Sequence, residues 1–298
     1  MSSDDRKLVV VAPTFYTNME DTRFMLGMKT CREAALQEIH LILVDASPTE
    51  DIRDQLRMSG TSTDGKSYVD VLVQTYKGKK GAALREAVIA AGRKISAEWN
   101  NDVERGNDVI ICFQEPEKND MIRHWKDIVK HMREEKVDIC VPRRSEVSFQ
   151  ASYPTEQYHS ETFGNLYLDT LARSADFQPS VDWFMGPIAW RHGFSYLWTD
   201  YADGDLWDSQ ICPMIQAQRW HGAKVSSWEI DFAHPVTMKQ EEEGSPTWIE
   251  KRLFQLNCIF DKVGKSLKET REEYEDRTKR EMVSKANNEG GNGKGKNR

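Results

Sequence analysis

Five short apolar runs alternate with stretches of helical spacing through the first half of this chain, and each run stops at a proline or a polar residue. They are "KLVVVAP" from Lys7 to Pro13, Ile39 to Val44 ending on Asp45, "YVDVLVQTY", "DVIICF" and "VDICVP". Runs this short, apolar and β-branched read as buried strands. Between them lie "MEDTRFMLGMKTCREAALQ", "IRDQLRMS", "GKKGAALREAVIAAGRKI" and "MIRHWKDIVKHMREE", each with the spacing of a helix. Strands that alternate with helices predict an α/β fold, a mostly parallel sheet flanked by helices. In such a sheet ligands bind beyond the carboxyl ends of the strands. Those ends are Pro13-Thr14, Asp45, Tyr76 to Lys80, Gln114 to Lys118 and Arg143-Arg144, and polar groups gather at every one.

The second half is less regular. "SYPTEQYHSETFGNLYLDTLARSA" holds a helix, "DWFMGPIAWRHGFSYL" is aromatic and broken by Gly and Pro, and "WDSQICPMIQAQRWHGAKV" reads as another helix. "KVSSWEIDFAHPV" reads as a strand that ends at His-Pro, and "PTWIEKRLFQLNCIFDKVGKSL" as a late amphipathic helix. The expected organisation is one domain over 1–264 and a charged tail over 265–298. The tail ends in "NNEGGNGKGKNR", a composition that buries too little surface to order itself.

Composition excludes several partners. A net charge of -7 over 298 residues argues against nucleic acid. No apolar run approaches the roughly 20 residues of a membrane span. The start, "MSSDDRKLVVVAPTF", lacks the pattern of a secretory signal. Five scattered cysteines without a CxxC pair read as small buried thiols in a reducing, cytoplasmic setting.

The stretch "VIICFQEPEKND", Val109 to Asp120, passes from buried strand to a burst of charge. Pro116 holds Glu115 and Glu117 one residue apart, and Lys118 stands beside them. At a strand end two carboxylates could share a divalent cation, which takes hard oxygen ligands. A surface turn with solvated glutamates is the plain alternative.

At this point the chain resembles the nucleotide-sugar-dependent glycosyltransferases of the GT-A fold, above all their large family-2-like group. Their Asp-x-Asp motif lies at the end of the fourth strand and holds a metal on the sugar-nucleotide diphosphate. Glu115-Pro116-Glu117 occupies that place as an acidic variant, and Lys118 is a second source of positive charge. "LILVDASPTED" resembles the element whose acidic residue contacts the nucleoside, with Asp45 the match. "KGKKGAALREAV" resembles a Gly-Lys-Gly-x-Ala-Leu element, which places Lys80 and Gly81 near the nucleotide. The segment from Asp203 to Val236 is similar to the end of mannosylglycerate synthase and glucosyl-3-phosphoglycerate synthase. There a histidine completes the metal site, and His234 matches it.

The resemblance covers roughly Lys7 to Lys262. It implies transfer of a hexose from a nucleoside diphosphate sugar to a small-molecule or glycan acceptor. The nucleotide is expected over Thr14, Asp45, Lys80 and Gly81, with Glu115 and Lys118 at its diphosphate. A divalent metal, manganese or magnesium, is expected on Glu115, Glu117 and His234. Asp205 and Asp208 are the candidates for activating the acceptor, with helix capping the alternative. Arg143 and Arg144 leave the fifth strand towards the same cleft, where a guanidinium grips a diphosphate or an acidic acceptor. Three other readings stay open: a nucleotidyltransferase, other diphosphate chemistry on the same fold, and a non-catalytic nucleotide-sugar-binding protein.

Overall fold

Val9, Val10, Val11 and Ala12 have no exposed surface, because the strand they form lies inside a sheet covered on both faces. The computed structural model describes residues 8–76, 79–99, 108–201 and 204–280. Its strands are Leu8–Thr14 (β1), His40–Asp45 (β2), Val69–Val73 (β3), Ile110–Phe113 (β4), Ile139–Arg144 (β5), Ile188–Arg191 (β6) and Val225–Ile230 (β7). They form one seven-stranded sheet in the order β3-β2-β1-β4-β6-β5-β7. The expected α/β fold, a mostly parallel sheet flanked by helices, is present.

β6 is the exception to the parallel pattern. It lies between β4 and β5 and runs antiparallel to both. Its four residues fall inside the aromatic stretch where no strand was expected, since so short a run between Pro187 and His192 carries little periodicity. The third strand is also shorter than its apolar run suggested, ending at Val73.

Side chains alternate between two cores, as a period of two requires. Val9 and Val11 face Ile111, Phe113 and the alanines Ala83, Ala87 and Ala91 of Lys80–Trp99 (α3). Leu8, Val10 and Ala12 face Phe24 and Cys31 of Thr22–Leu36 (α1), with Trp125 and Ile128 of Met121–Glu134 (α4). Glu50–Ser59 (α2) completes the first half. The tryptophans of the aromatic stretch belong to the core: Trp190 stacks on Trp198 at 4.1 Å between ring centres, and Trp183 is buried too.

Helices Glu146–Ser152 (α5), Thr155–Ser174 (α6), Ser195–Asp200 (α7), Asp208–His221 (α8) and Val236–Glu242 (α9) follow, and then the long Pro246–Lys268 (α10). α10 packs on α6 and α8. The expected tail boundary at 264 falls inside α10, and residues 271–280 form a further helix. The order there comes from specific contacts: Leu267 and Tyr274 are buried, and Tyr274 stacks on Trp220 of α8. Residues 281–298 of the expected tail lie outside the described residues. Among the described residues, no helix is long and apolar enough to cross a membrane.

Candidate active site

The carboxyl ends of β1, β2, β4 and β5 share one edge, and α9 and α10 rise opposite them. Between the two lies a cavity of about 620 Å³. Thr14, Lys79, Lys80, Glu115, Glu117 and Lys118 line its sheet side. Arg23, His234, Glu242, Trp248, Lys251 and Arg252 line the other, and Phe184 and Trp207 add aromatic wall.

The acidic turn after β4 is fixed from several sides. The Thr30 hydroxyl donates to the Pro116 carbonyl at 2.6 Å, and the Lys118 amide to the Glu115 carbonyl at 3.0 Å. The Trp125 indole donates to Gln114 Oε1 at 2.6 Å. So held, Glu115 receives one ammonium on each oxygen: Lys80 Nζ at 2.5 Å from Oε1 and Lys118 Nζ at 3.0 Å from Oε2. Burial pushes the Glu115 carboxyl up, but Lys118 and Lys80 outweigh it and bring it down to about 2. Burial acts against the charge of Lys118 also, and Glu115 turns the balance and holds its proton more tightly than usual. Among the described residues Glu117 has no such cation in contact. Burial, and then the Glu115 charge, push its carboxyl above the ordinary range.

The opposite wall is a second cluster. The His234 ring lies 4.5 Å from that of Tyr153, with its Nε2 3.6 Å from Glu242 Oε2. Burial lowers the imidazole below its usual value despite that carboxylate. Asp21 caps α1 by accepting the Arg23 amide at 2.8 Å, which sets Arg23 at the cavity rim. There it pairs with Glu242 at 3.3 Å and lies 4.3 Å from the centre of the Trp248 ring. Lys251 meets the same ring at 4.0 Å, and burial together with Arg23 brings its ammonium down to about 8.

Several residues singled out by sequence stand elsewhere. Asp45 is fully buried and outside the cavity lining. Thr14 and Ser47 hydroxyls donate to its Oδ1, each at 2.7 Å, and Arg53 lies 3.2 Å from Oδ2. It braces the β1 and β2 ends, and Thr14 reaches the cavity beside it. Gly81 turns away from the cavity: its amide donates to the Asp205 carbonyl at 3.0 Å, and a Cβ there would collide with the Gly204 carbonyl. Asp205 is exposed, and neither it nor Asp208 lines the cavity. Asp208 is buried as the first residue of α8, where its Oδ1 accepts the Leu206 amide of the preceding turn at 3.1 Å; the N-cap position is Trp207, so the capping alternative is not met either. Arg143 points to solvent and pairs with Glu229 at 3.3 Å, because neighbours on a strand face opposite ways. Arg144 does line the cavity, but its guanidinium is engaged by two carboxylates: Asp182 takes Nε and Nη2 at 2.7 Å each, and Glu161 takes Nη1 at 2.8 Å. Glu161 also accepts from Arg252 at 2.9 Å.

The expected metal trio is not assembled. Glu115, Glu117 and His234 face one cavity, yet among the described residues no three His, Cys, Asp or Glu side chains stand close enough together to hold a metal ion. Both Glu115 oxygens accept from ammonium groups, and the carboxylate beside His234 is Glu242. The donor set as arranged does not fit a metal.

Sequence reasoning missed Arg23, Trp207, Glu242, Trp248, Lys251 and Arg252 as cavity residues. One signal was present: Trp248, Lys251, Arg252 and Gln255 recur at helical spacing, and that stripe of α10 faces the cavity.

No protein-family model matches this chain, and no curated protein matches it. Among solved structures it is similar to glucosyl-3-phosphoglycerate synthase from Mycobacterium tuberculosis in complex with Mn2+, UDP-glucose and phosphoglyceric acid. The identity is 14%, over 87% of this chain and 80% of that one, with a TM-score of 0.49. A second structure of that enzyme matches at 14% identity over 88% and 79%, with a TM-score of 0.49. Its complex with uridine diphosphate matches at 15% over 87% and 80%, with a TM-score of 0.46. A likeness of this degree leaves the role of every side chain to the geometry of this cavity.

Proposed function

We propose that this chain is a GT-A-like glycosyltransferase that moves a hexose from a nucleoside diphosphate sugar to a hydroxyl acceptor. The observation that carries the reading is Lys80–Glu115–Lys118, two ammoniums on one carboxylate, on the floor of a cavity at the carboxyl edge of a mostly parallel sheet. Transfer breaks the bond between the anomeric carbon and the diphosphate oxygen, whose electron pair leaves with the diphosphate. The acceptor oxygen forms the new bond and gives up its proton. Negative charge therefore grows on the diphosphate, where fixed cations stabilise it most. Glu117 is the carboxylate assigned to the acceptor proton: it lines the cavity with no cation in contact among the described residues, and its raised affinity for a proton suits a base.

No step in this reading runs through a metal. The cytoplasm is the proposed setting, supported by cysteines that are all free, four of them buried. The test is release of nucleoside diphosphate from a panel of nucleotide sugars with small hydroxyl acceptors. A second reading, a nucleotide-sugar-binding protein without turnover, is favoured by the position of Asp205 and Asp208 outside the cavity. Tight binding of a nucleotide sugar with no release of diphosphate would select it. Consumption of a nucleoside triphosphate would instead select nucleotidyl transfer.

A further inference from the structure

We propose that this cleft neutralises a diphosphate with the paired ammonium groups of Lys80 and Lys118, spaced by Glu115, in place of a divalent cation. The inference rests on the donor reading above and deepens it.

Three features carry it. The first is occupancy of the carboxylate. A metal on Glu115 would share each oxygen with an ammonium already bound there, Lys80 on Oε1 or Lys118 on Oε2, and meet its positive charge at close range. The third side is closed as well, since a Cβ on Gly186 would lie 2.8 Å from both oxygens. The second feature is the supply of donors. An ammonium has three N–H groups, and one hydrogen bond from each of these lysines, to Glu115, is accounted for within the cavity. Among the described residues neither ammonium has a second hydrogen-bond acceptor, although Lys80 also lies 5.3 Å from the centre of the Phe113 ring, and the other N–H groups can serve phosphate oxygens. The third is charge. On the cavity floor Lys79, Lys80 and Lys118 stand against Glu115 and Glu117, which leaves one net positive charge with Glu117 ionised and two when it is protonated. Glu115 stays ionised well below neutral pH and Lys118 stays protonated well above it, so that charge persists across the working range. Glu115 acts through the lysines, as a positioning residue.

Inorganic pyrophosphate is the probe, because it carries the diphosphate without nucleoside or sugar. Calorimetry on the full chain in EDTA should show binding that added Mn2+ or Mg2+ changes by less than about threefold, since the fixed cations already supply the charge. Lys80→Met and Lys118→Met should each weaken binding tenfold or more. Absence of binding in EDTA overturns the proposal, as does unchanged affinity in both variants. If the variants fail to fold, the comparison of EDTA with Mn2+ on the native chain decides alone. Glu115→Gln provides a separate readout. Lys118 faces Glu115, Glu117 and Tyr153, and without the Glu115 charge it should lose its proton at lower pH. The alkaline limit of pyrophosphate binding should then move down, and an unmoved limit overturns the role given to Glu115. Pyrophosphate binding as described, without turnover of any nucleotide sugar, would remove the donor reading and leave the lysine pair. Turnover that requires Mn2+ would do the reverse.

Discussion

Gly186 stands face to face with the Glu115 carboxylate: a Cβ on it would lie 2.8 Å from both oxygens. The ladder dictates the meeting. Phe113 pairs with Ile188 in the antiparallel register of β4 and β6, so residues two beyond the one and two before the other come opposite. Had β6 run parallel to β4, the segment before it would lie at the far edge of the sheet.

Gly186→Ala should therefore fail twice. Its φ of +98° is a conformation that side chains rarely adopt, and the methyl would press on Glu115. Strain of this kind costs on the order of 1–3 kcal/mol. A lowered melting temperature together with at least tenfold weaker nucleoside diphosphate binding is expected. Native values for both would show that the contact is relieved at no cost.

Asp45→Ala should act on stability and not on recognition. Its carboxylate is buried among Thr14, Ser47 and Arg53, and removing one partner from a buried ion pair costs about 3–5 kcal/mol. Urea denaturation measures the loss. Calorimetry below the melting point should find nucleotide affinity within about threefold of native, as the side chain lies outside the cavity. A stable variant that no longer binds nucleotide would restore the nucleoside contact expected from sequence.

Glu117→Gln should lower turnover by about 10²–10⁴-fold, the usual worth of a general base. The carboxyl must be ionised to take a proton, and its affinity for a proton is raised by burial and by Glu115. Native turnover should thus fall as pH drops through that raised value, above the ordinary 4.5. The variant should lack this acid limb. An identical pH profile in both proteins would clear Glu117 of the role.

How much of this was legible in the sequence differs by element. β1, β2 and β4 stood out because both their faces are covered, which writes them as continuous apolar runs, and the edge strand β3 by alternation, with Val69 and Val71 buried and Asp70 exposed. β6 did not, since four residues carry too little periodicity. Glu115 and Lys118 were legible from their place after a buried strand. The binding of Lys80 to Glu115 was not, because it joins residues that meet only when α3 and the β4 turn share one edge. Asp45 misled for a physical reason: a strand-end aspartate looks the same whether it faces a ligand or braces two loops. Asp208 likewise carries the same letter whether it faces an acceptor or, as here, holds the turn before a helix through the Leu206 amide.

Acid should destabilise the protein through its histidines. His40, His192 and His234 are all held below the usual 6.5 by burial. The unfolded chain then takes up protons that the folded chain refuses, so stability is full above about 6.5 and falls as pH drops below it. Melting temperatures measured from pH 7.5 to 5.5 should decline, and His234→Gln should flatten the decline. A flat native curve would mean that these rings titrate freely in the fold.

A chain cut after Gly264 should lose stability. Arg219 donates to the Ser266 carbonyl at 2.7 Å and to the Glu269 carbonyl at 3.0 Å, and Tyr274 bonds His221 at 2.7 Å. The cut also removes buried Leu267, so a melting temperature several degrees lower is expected. An unchanged melting temperature would make these contacts ornamental and return the boundary to 264.

The charge ladder from Arg144 through Glu161 to Arg252 has a consequence for descent. Asp182 and Glu161 share Arg144, and Glu161 shares Arg252, so replacing Arg144 takes the cation from two buried carboxylates at once. Loss of one partner costs about 3–5 kcal/mol, against a whole stability of roughly 5–15 kcal/mol for a typical domain. A substitution at Arg144 thus leads into a fitness valley. Among relatives of this chain, positions 144, 161, 182 and 252 should vary as a set or not at all. The helix that carries Arg252 is inherited with the strand that carries Arg144.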